Sequence, residues 1–139
     1  MGWAISKTKS VICVGKAQCI KRVKMAERCV FCRIVAGEIP ADIVYQDEDL
    51  LAFRDIMPQA PTHVLIIPKT HITSVAELTE RQANLVGRLI IVARNLAKKE
   101  GVAGKGYRLA INCGPEGGQV VPHLHLHLLG GRQMDAKLG

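Results

Sequence analysis

The chain has 139 residues, a length typical of one compact domain, and 48% of them are hydrophobic, which is ample for a core. Its net charge of +7 comes mainly from residues 1–25, which carry six basic side chains and no acidic one; the other 114 residues hold 13 basic and 12 acidic side chains. With 4% aromatic residues and no apolar run near the roughly 20 residues of a membrane span, the sequence predicts neither a nucleic-acid partner nor a membrane partner.

Residues 1–25 form a basic extension that has three open interpretations. A basic, acid-free segment with serine is typical of an organelle transit peptide. The opening MGWAIS also fits M-G-x-x-x-[ST], the pattern for N-myristoylation. The simplest interpretation, which we favour, is a flexible tail before a domain that spans 26–139. Five cysteines without regular spacing make a disulfide framework a poor fit, so we expect a reducing, cytoplasmic setting.

The first half of the domain shows one short helix and three strands. The segment CVFCRIVAGEIP has apolar residues at helical spacing until a glycine and a proline end the pattern. DIVYQ and LLAFRDI are two short apolar runs separated by DED, which predicts a hairpin. After the breaker PQAP, THVLIIP predicts a third strand that ends at Pro68.

The second half begins with a long amphipathic helix. Leu85, Leu89 and Leu96 recur at helical steps, and Gly101 ends a helix of about five turns. GYRLAINC predicts a fourth strand, with Cys113 as a core thiol, and PHLHLHLL predicts a fifth. Strands, a long helix and further strands predict an α+β domain, with one long and one short helix beside a five-stranded antiparallel sheet.

Three histidines alternate with leucines in the fifth predicted strand. Strand geometry places His123, His125 and His127 on one face and the leucines on the core face. Same-face neighbours lie about 6.5–7 Å apart, so a straight strand does not bring all three to one metal ion, and we expect them to have different tasks. If the Nδ1–H of His125 is held by an acceptor, its Nε2 is a nucleophile suited to phosphorus, with His127 as phosphate contact or proton donor.

The loop GPEGGQ precedes these histidines. Backbone N–H groups at Gly117 and Gly118 and the amide of Gln119 are suited to phosphate oxygens, because glycine lets the backbone approach an anion. Most glycine loops are only turns, and this one lacks the G-K-[ST] of a Walker loop.

HLHLHLL resembles the His-φ-His-φ-His-φ-φ signature of the histidine triad (HIT) nucleotide hydrolases and transferases. FCRIVAGEIPADIVYQDEDLLAFRDIMPQAPTHVLIIPKTHI, GYRLAIN and LLGGRQM resemble the Hint branch, the nucleoside phosphoramidases. The resemblance implies that His125 forms a nucleotidyl-histidine intermediate, with His123 and His127 as flanking triad members and His63 as a fourth active-site histidine. It also implies a homodimer whose sheet is continuous across the two chains.

The resemblance further implies a pocket for a purine nucleotide. In it, Asp55 would hold the ribose hydroxyls, three apolar residues would line the base pocket, and three polar or glycine residues would face the phosphate. The base would meet Phe31, Phe53 and Ile56, and the phosphate would meet Asn112, Gly118 and Gln119. Two departures leave the substrate preference and the leaving group open. Val120 stands where Hint relatives usually have serine, and the tail GGRQMDAKLG lacks their tryptophan and prolines.

A C-x-x-C pair, Cys29 and Cys32, precedes the first helix. Two small core residues are one interpretation of it. A tetrahedral zinc site needs two further ligands. By resemblance to some bacterial HIT proteins and to the related uridylyltransferases, these would be His71 and His123, and the zinc would be structural.

The leading hypothesis is therefore an enzyme that hydrolyses purine nucleoside 5′-phosphoramidates, or acyl-nucleotide relatives, through His125. The sequence has no cluster of carboxylates that would indicate a magnesium site, and a histidine nucleophile does not require magnesium. A nucleotide-binding adaptor with incidental catalysis is an alternative, and so is a dinucleoside polyphosphate hydrolase of the same fold. The segment GGRQM favours the phosphoramidase branch over the dinucleoside polyphosphate hydrolases.

Overall fold

A computed structural model describes residues 29–138 of the protein. The predicted extension at 1–25 and the first residues of the predicted domain lie outside the described residues. Between residues 29 and 138, no helix is long and apolar enough to cross a membrane.

The predicted order of helices and strands is confirmed. We number the elements in chain order within residues 29–138. The helices are α1 (Val30–Val35) and α2 (Ala83–Lys99), and two 3₁₀ turns, Val75–Glu77 and Glu80–Gln82, precede α2. The strands are β1 (Ile43–Gln46), β2 (Leu50–Arg54), β3 (Thr62–Pro68), β4 (Tyr107–Ala110) and β5 (Leu126–Gly130).

The five strands form one antiparallel sheet in the order β1-β2-β3-β5-β4. Strand β5 therefore lies in the sheet interior, between β3 and β4. In the β3–β5 pair, His63 lies opposite Leu129 and Leu65 lies opposite His127. Because opposite residues in a ladder share a face, the side chains of His63 and His127 are on the same side of the sheet.

The other side of the sheet packs against α2. Leu124, Leu126 and Leu128 are almost fully buried there, together with the helix residues Leu89 and Leu96. Each such side chain contributes about 1.5–3 kcal/mol through removal from water. The leucines of the triad segment thus attach it to the core, as predicted.

Helix α2 is preceded by a capping box and is followed by the glycine that the sequence predicted as its end. Thr79 and Gln82 form a capping box in the preceding turn, which satisfies backbone N–H groups before the helix starts. At the other end Lys98 and Lys99 occupy the last turn, and Gly101 adopts a positive φ of 76°. Glycine tolerates this backbone conformation better than other residues do, so the helix ends there.

Two strand predictions were too long. The fourth strand ends at Ala110, and Cys113 beyond it is exposed, so its assignment as a core thiol was wrong. The fifth strand begins at Leu126, so only His127 of the three histidines belongs to a strand. The N–H of His123 donates to the Val121 carbonyl, and that of Leu124 donates to the Ile72 carbonyl, at 2.8 and 2.6 Å. These backbone groups are therefore not available to the sheet ladder.

Candidate active site

The buried imidazole of His125 has one nitrogen committed to the backbone. Its Nδ1 lies 2.6 Å from the carbonyl oxygen of His123. A carbonyl only accepts hydrogen bonds, so the neutral ring carries its proton on Nδ1 and keeps a lone pair on Nε2. Burial lowers the pKa of His125, even though the hydrogen bond to His123 raises it. The edge-to-face contact with Phe31, at 5.3 Å between ring centroids, fixes the ring plane further.

His63 and His127 form a hydrogen-bonded pair beside His125. The backbone N–H of Gln59 donates to Nδ1 of His63 at 3.1 Å, so the proton of the neutral His63 ring is on Nε2. That Nε2–H donates to Nδ1 of His127 at 2.9 Å, which places the His127 proton on its own Nε2. Among residues 29–138, the buried His127 Nε2 has no hydrogen-bond partner. One backbone N–H thus determines the tautomers of two imidazoles and leaves a free donor at the end of the chain.

Both imidazoles of this pair are neutral near pH 7. Burial lowers the pKa of His127 to about 4, and the charges of His125 and His63 act in the same direction. Burial also lowers the pKa of His63, against the opposing effect of Asp55, whose Oδ2 lies 3.4 Å from His63 Nε2. The neutral state keeps the hydrogen-bond directions described above.

A second cluster brings together Cys29, Cys32, His71 and His123. Their four potential ligand atoms all lie within 4.8 Å of one another. Nδ1 of His123 is 3.5 Å from each of the two sulfurs, and Nδ1 of His71 is 3.2 Å from the Cys32 sulfur. The residues that the resemblance implied as zinc ligands therefore converge from α1, the end of β3 and the triad segment.

The chemistry of this cluster fits zinc. The Nε2–H of His123 donates to the Pro68 carbonyl at 2.8 Å, so its Nδ1 carries a lone pair aimed at the sulfurs. Metal-bound histidines commonly have such a carbonyl partner on the other nitrogen. The hydrogen bond from Cys32 lowers the pKa of the Cys29 thiol; burial opposes this effect, and hydrogen bonds from His123 and His71 add to it. The same hydrogen bond with Cys29, together with burial, raises the pKa of Cys32. Two sulfurs and two imidazole nitrogens are a usual tetrahedral zinc set.

His123 connects the two clusters. Its imidazole belongs to the cysteine cluster, while its carbonyl oxygen accepts the Nδ1–H of His125. The expectation that the three histidines have different tasks is consistent with this arrangement, because each ring has a different set of neighbours.

The residues expected to bind a base and a ribose lie in different environments. Phe31 and Phe53 are buried and meet edge to face, with centroids 5.4 Å apart. Ile56 is 94% exposed and is not part of this aromatic pair. One carboxylate oxygen of Asp55 accepts the Met57 N–H at 2.9 Å, and the other lies near His63. Asn112 is half-buried just beyond β4.

The glycine loop forms hydrogen bonds mainly within the protein. The Gly118 N–H donates to the Pro115 carbonyl, and the side-chain amide of Gln119 donates to the carbonyls of Thr73 and Val121 at 2.7 and 3.0 Å. The Gln119 oxygen also accepts the Gly114 N–H. Two donors that the sequence suggested for phosphate are therefore occupied, and Gln119 holds the loop closed.

Sequence reasoning missed the backbone groups of this site. The Gln59 N–H and the Pro68 carbonyl determine the tautomers of His63 and His123, but neither depends on a side chain. No motif marks such groups, because every residue except proline carries both a donor and an acceptor.

The histidines gathered on this antiparallel sheet agree with the resemblance to the histidine triad family. The family described as HIT domain matches residues 36–134, and the chain belongs to this family. The purine nucleoside phosphoramidase of Escherichia coli (strain K12) is 51% identical over 114 residues, which cover 82% of this chain and 96% of that protein. The 14 kDa zinc-binding protein of Zea mays is 54% identical over 108 residues, 76% of this chain and 84% of that protein.

Solved structures agree with this assignment. A HIT family hydrolase from Legionella pneumophila Philadelphia 1 is 52% identical, with a TM-score of 0.79, and the match covers 80% of this chain and 99% of that one. A HIT family hydrolase from Clostridium thermocellum is 50% identical, also with a TM-score of 0.79, covering 81% and 97% of the two chains. The predicted α+β fold is confirmed by this likeness.

Proposed function

We propose that the protein hydrolyses the P–N bond of purine nucleoside 5′-phosphoramidates, or the corresponding bond of acyl-nucleotide relatives, through a covalent nucleotidyl-histidine at His125. The observation that carries this proposal is the 2.6 Å hydrogen bond from His125 Nδ1–H to the His123 carbonyl, which leaves Nε2 as the nucleophilic nitrogen. The name of the Escherichia coli relative supports the choice of substrate class.

In the first step, Nε2 of His125 attacks the α-phosphorus while the bond from phosphorus to the amine nitrogen breaks. The departing nitrogen takes a proton from solvent, while the unpartnered Nε2–H of neutral His127 donates a hydrogen bond to a phosphate oxygen. The products are the free amine and a nucleotidyl group bound to His125.

In the second step, water attacks the phosphorus and the P–N bond to His125 breaks. The attacking water releases one proton to solvent, which balances the proton taken up in the first step. The nucleoside monophosphate leaves, and His125 regains its lone pair. His63 and Gln59 keep Nδ1 of His127 oriented as an acceptor during both steps.

The remaining residues of the proposal bind the nucleotide. Phe31 and Phe53 supply the apolar wall beside the His125 ring, with Ile56 as an exposed cover for the base. Asp55 has carboxylate capacity left for ribose hydroxyls, and Asn112 faces the phosphate. Gly118 and Gln119 shape the loop beside the phosphate. The Gly118 N–H and the Gln119 side-chain amide do not contact the phosphate, because they donate to carbonyls of the protein.

Zinc is the metal proposed for the Cys29, Cys32, His71 and His123 cluster. With four protein ligands a zinc ion would have no open position, so it would supply structural stability and not an activated water. The chain's own contribution is to hold His123, whose carbonyl orients His125. The cluster requires reduced thiols, which supports the proposed cytoplasmic setting.

A screen of adenosine and guanosine phosphoramidates with the His125→Ala variant tests the enzymatic proposal. We expect wild-type protein to turn over and His125→Ala to lose turnover while retaining nucleotide binding. A single-turnover burst with a covalent adduct at His125 distinguishes the enzyme from a nucleotide-binding adaptor. Hydrolysis by His125→Ala at the wild-type rate would remove His125 from this role.

A further inference from the structure

The loop at residues 58–61 determines the proton positions of the His63–His127 pair. It joins β2 to β3, and its Gln59 N–H is the donor to His63 Nδ1. Gln59 itself is exposed, as are Ile56 and Met57 before it. Within 58–61 only Ala60 is buried, so a contact from another segment can add to what keeps the Gln59 N–H aimed at the imidazole.

The chain after β5 runs directly against this loop. A Cβ atom at Gly131 would lie 2.9 Å from Cβ of Pro61, closer than side-chain packing allows, and Gly131 has a positive φ of 89°. A Cβ at Gly130 would similarly lie 2.8 Å from Cβ of Val102. Gly131 thus permits a close approach of the C-terminal segment to residues 58–61, whereas Gly130 permits one to Val102.

Arg132 follows this approach and bonds the loop. Its Nε–H donates to the Gln59 carbonyl oxygen at 2.9 Å. Its Nη1 donates to the Gln133 carbonyl at 3.1 Å, which directs the guanidinium plane. Gln59 links this bond covalently to the histidine pair: its carbonyl accepts from Arg132, and its N–H, in the preceding peptide unit, donates to His63.

We propose that Arg132 is a positioning residue of the active site: it holds the Gln59 peptide so that His63 and His127 keep the tautomers that place a proton on His127 Nε2. This inference rests on the proposed function for its catalytic consequence. Its structural content, the tautomer of each ring, is independent of any substrate. Loss of the Arg132 bond would let the exposed loop move, and His63 would then populate both neutral tautomers.

The test compares Arg132→Gln with Arg108→Gln in the full chain as purified. Arg108 is a matched control because its guanidinium donates to the Asp135 carbonyl of the same C-terminal segment but does not bond the 58–61 loop. Long-range ¹H–¹⁵N spectra of the imidazoles report the tautomers, and phosphoramidate turnover gives kcat and KM. Arg132→Lys, which keeps a donor and a charge, tests for rescue.

In wild type and Arg108→Gln, we expect His63 and His127 each to carry the proton on Nε2. In Arg132→Gln, His63 should show both tautomers and kcat should fall about 10-fold with KM changed less than about twofold, as expected for a displaced catalytic group. Arg132→Lys should recover part of the loss.

Wild-type tautomers in Arg132→Gln would overturn the inference, even if the melting temperature fell, because the bond would then be only structural. Unchanged kcat in Arg132→Gln would overturn it as well. If wild-type protein does not hydrolyse any phosphoramidate, the proposed function fails on its own, and the imidazole spectra still decide the role of Arg132.

Discussion

At the scale of single residues, the site depends on which nitrogen of each histidine is committed to the protein. His125 and His123 are each fixed by a backbone carbonyl, and His63 is fixed by a backbone N–H. Three chemically identical side chains therefore present different groups: a lone pair on Nε2 of His125, a lone pair on Nδ1 of His123 and an N–H donor on Nε2 of His63. The difference comes from their hydrogen-bond partners and not from the residue type.

The lowered pKa of His127 predicts acid sensitivity. Burial, with the charges of His125 and His63, lowers the pKa of His127 to about 4, below the value of about 6.5 in an unfolded chain. The folded state thus binds fewer protons, so the stabilisation is complete above pH 6.5 and is lost as the pH falls towards 4. Urea unfolding should show the free energy of unfolding falling roughly 2 kcal/mol more for wild type than for His127→Gln over this interval. Parallel pH profiles would contradict the prediction.

The cysteine cluster predicts that the zinc content depends on the thiol of Cys32 and not on that of Cys113. Wild type and Cys113→Ala should each contain about one zinc per chain by elemental analysis, whereas Cys32→Ala should contain less than about a tenth. Cys113 is the matched control because it is free and exposed. Zinc loss should also lower kcat, because the His123 carbonyl orients His125. Wild-type protein without zinc would refute the assignment.

At the scale of elements, hydrogen bonds link the turn between β1 and β2 to α2. Asp47, between β1 and β2, accepts the N–H groups of Asp49 and Leu50 and the hydroxyl of Tyr45. Arg88 of α2 donates to Asp47 and also to Asp49. One carboxylate therefore closes the hairpin and links it to the helix.

We expect Asp47→Asn to destabilise the protein in a pH-dependent way. Burial alone would raise the pKa of Asp47, but the hydrogen bonds from Tyr45, Asp49 and Leu50 and the charge of Arg88 lower it to about 2. Its stabilisation is therefore present above about pH 4 and is lost as the pH falls through about 2. The loss at pH 7 should be about 1–2 kcal/mol by chemical denaturation, compared with less than about 0.5 for the exposed neighbour in Glu48→Gln. Equal losses in the two variants would be evidence against this role.

Some of these elements could be predicted from the sequence and others could not. Leu89, Leu96 and the leucines of the triad segment have a periodicity that requires burial on one face, so the helix and the leucine face were predictable. The start of β5 was not, because the hydrogen bonds of Leu124 and His123 depend on Ile72 and Val121, whose positions follow from the folded chain.

At the scale of the whole molecule, the surface can be compared with the homodimer that the family resemblance implies. Among residues 29–138, β4 pairs only with β5, so its outer edge is available to another strand. Helix α2 also exposes Ile90 and Ile91, by 46% and 47%. An available edge strand together with exposed apolar helix residues is consistent with pairing to a second copy.

Sedimentation should therefore give a mass of about twice the 15.1 kDa of one chain. The double variant Ile90→Lys with Ile91→Lys should shift the mass towards one chain, because charges in an apolar interface lack partners. Val75→Lys is the control, since Val75 is an exposed apolar residue outside α2. A wild-type mass of one chain at micromolar concentration would exclude the homodimer.

The sequence by itself determined the fold class, the buried leucine face and the residues that gather at the two histidine clusters. Periodicity and residue chemistry are local properties that follow directly from the order of the amino acids in the chain. Only the tertiary structure decided which nitrogen of each imidazole is free, that the Gln119 amide is engaged by the backbone, and that Arg132 reaches Gln59. These features depend on backbone groups that every residue carries, so they become distinct only when the folded chain sets their distances.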